Sequence, residues 1–96
     1  MVLRGHYSCG PFASGVPDRG VIDLGVKQAR RTGTVTAVGY LDPSVCDGTR
    51  QRFEVTLTAA EPLRAGAATW LASGYVEGDT GVQHVHVAPT RITLTR

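Results

Sequence analysis

The sequence predicts an all-β chain: a seven-strand, immunoglobulin-like antiparallel sandwich with one disulfide, a small closed β-barrel being the competing architecture. Three observations carry this prediction. Apolar residues recur with period two, and no stretch shows a capped apolar stripe of helical period. Seven such runs are separated by Gly, Pro and Asp clusters at intervals of roughly 8 to 12 residues. The length, 96 residues, suits one core and is too short for two. The chain is therefore read as a single sandwich domain over residues 1–96.

The first strand is expected from Val2 to Cys9, with Leu3, Tyr7 and Cys9 on one face and Arg4, His6 and Ser8 on the other. Residues 10–20 hold Gly10, Pro11, Gly15, Pro17, Asp18 and Gly20 and read as a long turn-rich connection. Strand two runs from Val21 to Gln28 with Ile22, Leu24 and Val26 inward, and 29–32 turns the chain. Strand three begins at Gly33 and places Val35, Ala37 and Gly39 opposite Thr34, Thr36, Val38 and Tyr40. Asp42-Pro43 interrupts it, because proline offers no N–H to a ladder.

Asp47-Gly48 between strand-forming residues is the strongest hairpin signal in the chain. The strand that follows, Arg50 to Thr58, has the cleanest alternation, with Phe53, Val55 and Leu57 inward, and is expected at the centre of the core. Residues 59–66 read as a crossing connection anchored by Leu63. Strand five, Ala67 to Val76, sets Ala68 and Ala72 on either side of Trp70, and residues 77–81 make a tight turn. Val82 to Ala88 and Thr90 to Thr95, separated by Pro89, supply the last two strands, with Val85, Val87, Ile92 and Leu94 inward.

Composition narrows the function classes. Hydrophobic residues make up 42% and charged residues 19%, which is the balance of a chain that folds. The formal charge of +2 is too weak a field to argue for nucleic acid or an anionic membrane as partner. No run of eighteen apolar residues occurs, so no membrane span is expected, and the opening residues lack the apolar stretch of an export signal. Cys9 ends the first alternation and Cys46 directly precedes the Asp-Gly turn, so both lie where a disulfide can form. Closing that loop of 37 residues stabilises the fold by about 3–4 kcal/mol in the chain-entropy relation. A disulfide in so small a chain points to a secreted, extracellular protein whose export signal is absent from this chain.

Gly5-x-Tyr7-x-Cys9, Val26-x-Gln28, Cys46-Asp47-Gly48-Thr49 and Leu63-Arg64-Ala65-Gly66-Ala67-Ala68 together resemble a family of small secreted actinobacterial proteins of unknown function. The pairing of an early Tyr-x-Cys with a central Cys-Asp-Gly-Thr is the most specific part, and the resemblance implies a disulfide-linked, Ig-like fold without an activity. Antibody domains place a tryptophan between their cysteines, whereas Trp70 follows both. The bond is accordingly read as a tie between the first strand and the Asp-Gly hairpin, apart from the tryptophan.

Candidate sites are few. His84 and His86 share one strand face about 7 Å apart, the spacing of two ligands for zinc or copper, with His6 or Asp79 as the third; a solvated pair of polar residues is the plainer reading. Glu77 and Asp79 fall short of a calcium site and suit turn chemistry. Ser73 in Ala72-Ser73-Gly74 lacks the first glycine of a nucleophile elbow, no phosphate-binding glycine loop occurs, and no enzymatic activity is expected. Arg30 and Arg31 form a small basic loop, and Phe12, Tyr40 and Tyr75 are expected exposed, as anchors for a protein or glycan. The leading expectation is a secreted, non-catalytic binding module that uses no cofactor and makes contact through loops 10–20 and 29–32. The alternatives are a metal-binding protein and a protease inhibitor presenting the 10–20 loop.

Overall fold

The computed structural model describes residues 1–31 and 33–95. Its regular elements are β1 (Val2–Tyr7), β2 (Arg19–Arg30), β3 (Gly33–Leu41), β4 (Gln51–Thr56), β5 (Thr58–Ala59), β6 (Gly66–Gly78) and β7 (Gly81–Leu94). All pairings are antiparallel, in a two-stranded sheet β1–β4 and a five-stranded sheet β5–β3–β2–β6–β7. The two form a sandwich and not a closed barrel. Only Leu57 separates β4 from β5, so the chain passes from one sheet to the other at that edge, and Leu57 is buried where it crosses. At the opposite edge β1 and β7, among the described residues, each have a single partner and are not bonded to one another.

The core is centred on β2, which bonds β3 on one side and β6 on the other. Its period-two pattern buries Ile22, Leu24 and Val26, and these pack with Ala37, Leu57, Ala68, Ala72 and Val76. The strand expected at the centre, with Phe53 and Val55 inward, lies instead in the smaller sheet. Its inward residues are half-buried because β1 is the only strand beside it. Gln28 continues the inward row of β2 and is buried and fully bonded: Nε2 donates to Arg64 O at 2.8 Å and Ala67 O at 3.3 Å, while Oε1 accepts from Arg64 N at 2.9 Å.

Seven strands form, but two are divided differently from expectation. The 50–58 run is split at Leu57 into β4 and β5. The two last runs are one strand, because Trp70 pairs Thr90 and Ala72 pairs Val87, setting Ala88 and Pro89 against Leu71 alone. This bulge places the residue without an N–H where the ladder asks for none. Asp47-Gly48 makes a turn and not a hairpin, since 42–50 contain no strand. There the Asp47 carboxylate accepts from the Thr49 amide and hydroxyl, closing the turn locally.

The Cys9–Cys46 disulfide joins the segment after β1 to this turn, with the Cα atoms 4.6 Å apart. Backbone bonds reinforce it: Gly48 N donates to Cys9 O, Phe12 N to Cys46 O, and Cys46 N to Gly15 O. The 10–20 connection is held to the β6–β7 hairpin as well. Ala13 N and Ser14 N donate to the two carboxylate oxygens of Asp79, Gln83 exchanges two hydrogen bonds with the backbone of Gly10, and Asp18 N donates to Glu77 O. Phe12 is buried in this junction rather than exposed as expected, because Gly78 leaves its face open: a Cβ there would sit 2.4 Å from the ring.

Candidate functional site

The residues singled out in the sequence fall on three surfaces. Tyr40 and Tyr75 are exposed on the outer face of the five-stranded sheet, as expected, at 68% and 38%. In register, Tyr40, Asp23, Ser73 and His86 form one row across four strands, and Val21, Tyr75 and His84 form the next. His84 and His86 therefore stand exposed on β7 beside Tyr75 and Ser73. His6 lies on β1, in the other sheet, with Nδ1 3.1 Å from the Arg50 guanidinium. Asp79 spends both carboxylate oxygens on the 10–20 connection. Among the described residues no group of three or more His, Cys, Asp or Glu is placed to hold a metal.

The basic loop is altered by its surroundings. Ala29 and Arg30 belong to β2, and Thr32 of the 29–32 turn lies outside the described residues. Arg30 is half-buried and donates to Pro62 O at 2.6 Å and to Gln28 Oε1 at 3.2 Å, so it clamps the 59–66 connection rather than serving as a free contact. Arg31 is exposed. On the far side of the sheet, Arg19 pairs with Glu77 at 2.6 Å, and that hydrogen bond raises its pKa further above the ordinary value.

The feature absent from the sequence reading is a groove along the open edge of the sandwich. A five-stranded sheet faces a two-stranded one, so the inner surface of β6 and β7 extends beyond its cover. Trp70, Val85, Val87, Ile92 and Leu94 point inward as expected, yet each remains half-buried. Three adjoining depressions follow this edge. One of about 220 Å³ lies between Tyr7 and Val85–Val87 over Trp70, the next of about 240 Å³ runs from Leu3 to His6 over Phe53 and Trp70, and the last of about 800 Å³ lies between Val2 and Leu94 beside Arg64. Neighbouring depressions share Trp70 and Ile92, so the groove is continuous.

Its shape follows from small residues as much as large ones. Gly5 sits against the edge of the Phe53 ring, where a Cβ would come within 2.8 Å, so the ring packs close to β1 and lines the floor. The floor is apolar and the walls are two strand edges with unpaired backbone. Its charged lining residues are Arg4 and Arg64, with His6 beside them and no carboxylate. Arg4 meets Glu54 at 3.2 Å on the solvent face, an exposed pair of the kind that contributes little and exchanges readily. Among the described residues no helix is long and apolar enough to cross a membrane. The chain matches no family model, no curated protein and no solved structure with which it was compared.

Proposed function

We propose that this chain is a secreted, non-catalytic binding module that holds a partner polypeptide in the groove between β1 and β7. The observation that carries the reading is the groove itself: half-buried Trp70, Phe53, Val87 and Ile92 line it between two unpaired strand edges. A concave, partly buried apolar floor of this kind suits recognition, and its aromatic residues supply contact area to a partner. The disulfide supports an oxidising compartment, and the hydrogen bonds around it make the Cys9 end of the groove rigid.

Panning a peptide display library against the oxidised chain tests this reading, with Trp70, the only tryptophan, as the reporter. Selected peptides are expected to shift Trp70 emission and to slow amide exchange along β1. Ligands that instead protect the Tyr40 and Tyr75 face, leaving Trp70 unchanged, would move the site to the outer sheet surface and defeat the groove.

A second reading draws on Val16, which is 47% exposed on the disulfide-braced 10–20 connection and precedes Pro17. Rigid, exposed loops suit protease inhibition, and incubation with secreted serine proteases separates the two readings. Inhibition lost in Val16→Gly, with peptide binding retained, would favour the inhibitor.

A further inference from the structure

We infer that the occupant of the groove is an extended segment alternating apolar and acidic residues, which pairs with the free edge of β1 as an added strand. This rests on the groove being the binding site and specifies what it takes.

Hydrogen-bond parity along β1 comes first. Leu57 N donates to Met1 O at 2.8 Å, and Met1 N donates to Leu57 O at 3.1 Å, so these two residues form a mutually bonded pair. Antiparallel alternation then turns the backbone groups of Leu3, Gly5 and Tyr7 toward β4 and those of Val2, Arg4 and His6 toward the groove. Three N–H and three C=O groups thus face an apolar channel along a strand of six residues, about 20 Å of edge. An extended backbone satisfies them, and this is the way sheets take up peptides.

Side-chain alternation follows. On a strand laid beside β1, every second side chain points down onto Phe53, Trp70, Val87 and Ile92, and these positions call for apolar residues. The others point outward, on the face of the two-stranded sheet that carries Arg4 and His6. β1 contains no Asp or Glu, although the chain has eight, and carries Arg4 and His6 on its outward face. The β1 side of the groove is basic, its charged lining side chains being Arg4 and Arg64 with no carboxylate among them, and carboxylates at the outward positions complement it. A second copy of the chain is the weaker occupant, because pairing β1 with another copy's β1 or β7 sets cations against cations.

Capped synthetic peptides of about seven residues test the inference against the full oxidised chain. One alternates Val with Glu, one Val with Gln and one Val with Lys, and binding is read by Trp70 fluorescence at low and at moderate salt. The Glu peptide is expected to bind about three- to tenfold more tightly than the Gln peptide at low salt, with the margin shrinking as salt rises. Arg4→Gln should erase most of that margin. Arg4→Pro removes an N–H that β4 does not use, and should abolish binding while leaving the circular dichroism spectrum unchanged. Methylating alternate amides of the peptide makes the same test without altering the protein.

Equal binding of the Glu and Gln peptides would overturn the acidic specificity and leave the groove standing. Tighter binding of the Lys peptide would reverse it. Binding that survives both Arg4→Pro and peptide methylation would overturn strand addition, and failure of all three peptides to reach Trp70 would remove the groove reading with it.

Discussion

Asp47 accepts the Thr49 hydroxyl and, at 3.0 Å, the Thr49 amide, and these bonds, the hydroxyl first, hold its carboxyl below the ordinary carboxylate range. A depressed pKa in the folded state contributes stability that is present above the unfolded-state value and is lost as pH falls through the folded one. Thermal midpoints of the native chain and of Asp47→Ala should therefore converge as pH is lowered through and below the carboxylate range, with the native chain the more stable near neutrality. Parallel curves across that range would show that the turn draws nothing from the ionised carboxylate. Asp47 was legible in the sequence as a turn residue; the hairpin attached to it was not. The local signal specifies how four residues bend, whereas the backbone donors and acceptors beyond them were taken by Cys9 and Gly15, far away in sequence. Phe12 teaches the same at a loop. A phenylalanine among Gly, Pro and Ser reads as exposed until a glycine on another strand opens a seat for its ring.

At the scale of elements, Gln28 shows what a strand end does beyond pairing. Its amide satisfies the backbone of Arg64 and Ala67, and Arg30 holds Pro62, so the end of β2 fixes the whole connection into β6. Gln28→Leu keeps the volume but removes the partner of the Arg64 and Ala67 backbone groups, and should cost about 1–3 kcal/mol by urea denaturation with an unchanged m-value. Faster amide exchange at Arg64 should accompany the loss. An unaltered denaturation midpoint would mean that water replaces the amide without penalty. The period-two pattern was sufficient to place β2, β3 and β6 and to choose their inward faces, because alternation is a property of the strand itself. Strand division was harder to read. Pro89 looks like a terminator, and only the register opposite Leu71 turns it into one half of a bulge inside a strand of fourteen residues.

The molecule as a whole measures 49 × 21 × 19 Å, its long axis matching the reach of the β6–β7 hairpin, with the disulfide junction gathered where that hairpin turns. The bond closes a loop of 37 residues and should stabilise the fold by about 3–4 kcal/mol. Reduction, or the paired substitution of Cys9 and Cys46 by Ser, should lower the urea midpoint accordingly, and protein purified under oxidising conditions should show no free thiol by mass. An unmoved midpoint would transfer that stability to the hydrogen bonds around the bond.

The groove belongs to this scale alone. Val85, Val87, Ile92 and Trp70 were readable as inward residues, and nothing in their spacing tells how many strands lie across from them. By itself the sequence determined an all-β chain, its inward faces and its single disulfide, because alternation and turn chemistry act over a few residues. The tertiary structure alone decided that five strands face two, that β1 and β7 each keep one unpaired edge, and that Arg4 and Arg64 line the channel between the sheets. Strand pairing is a contest among segments distant in sequence, and the site occupies the edge which that contest leaves unpaired.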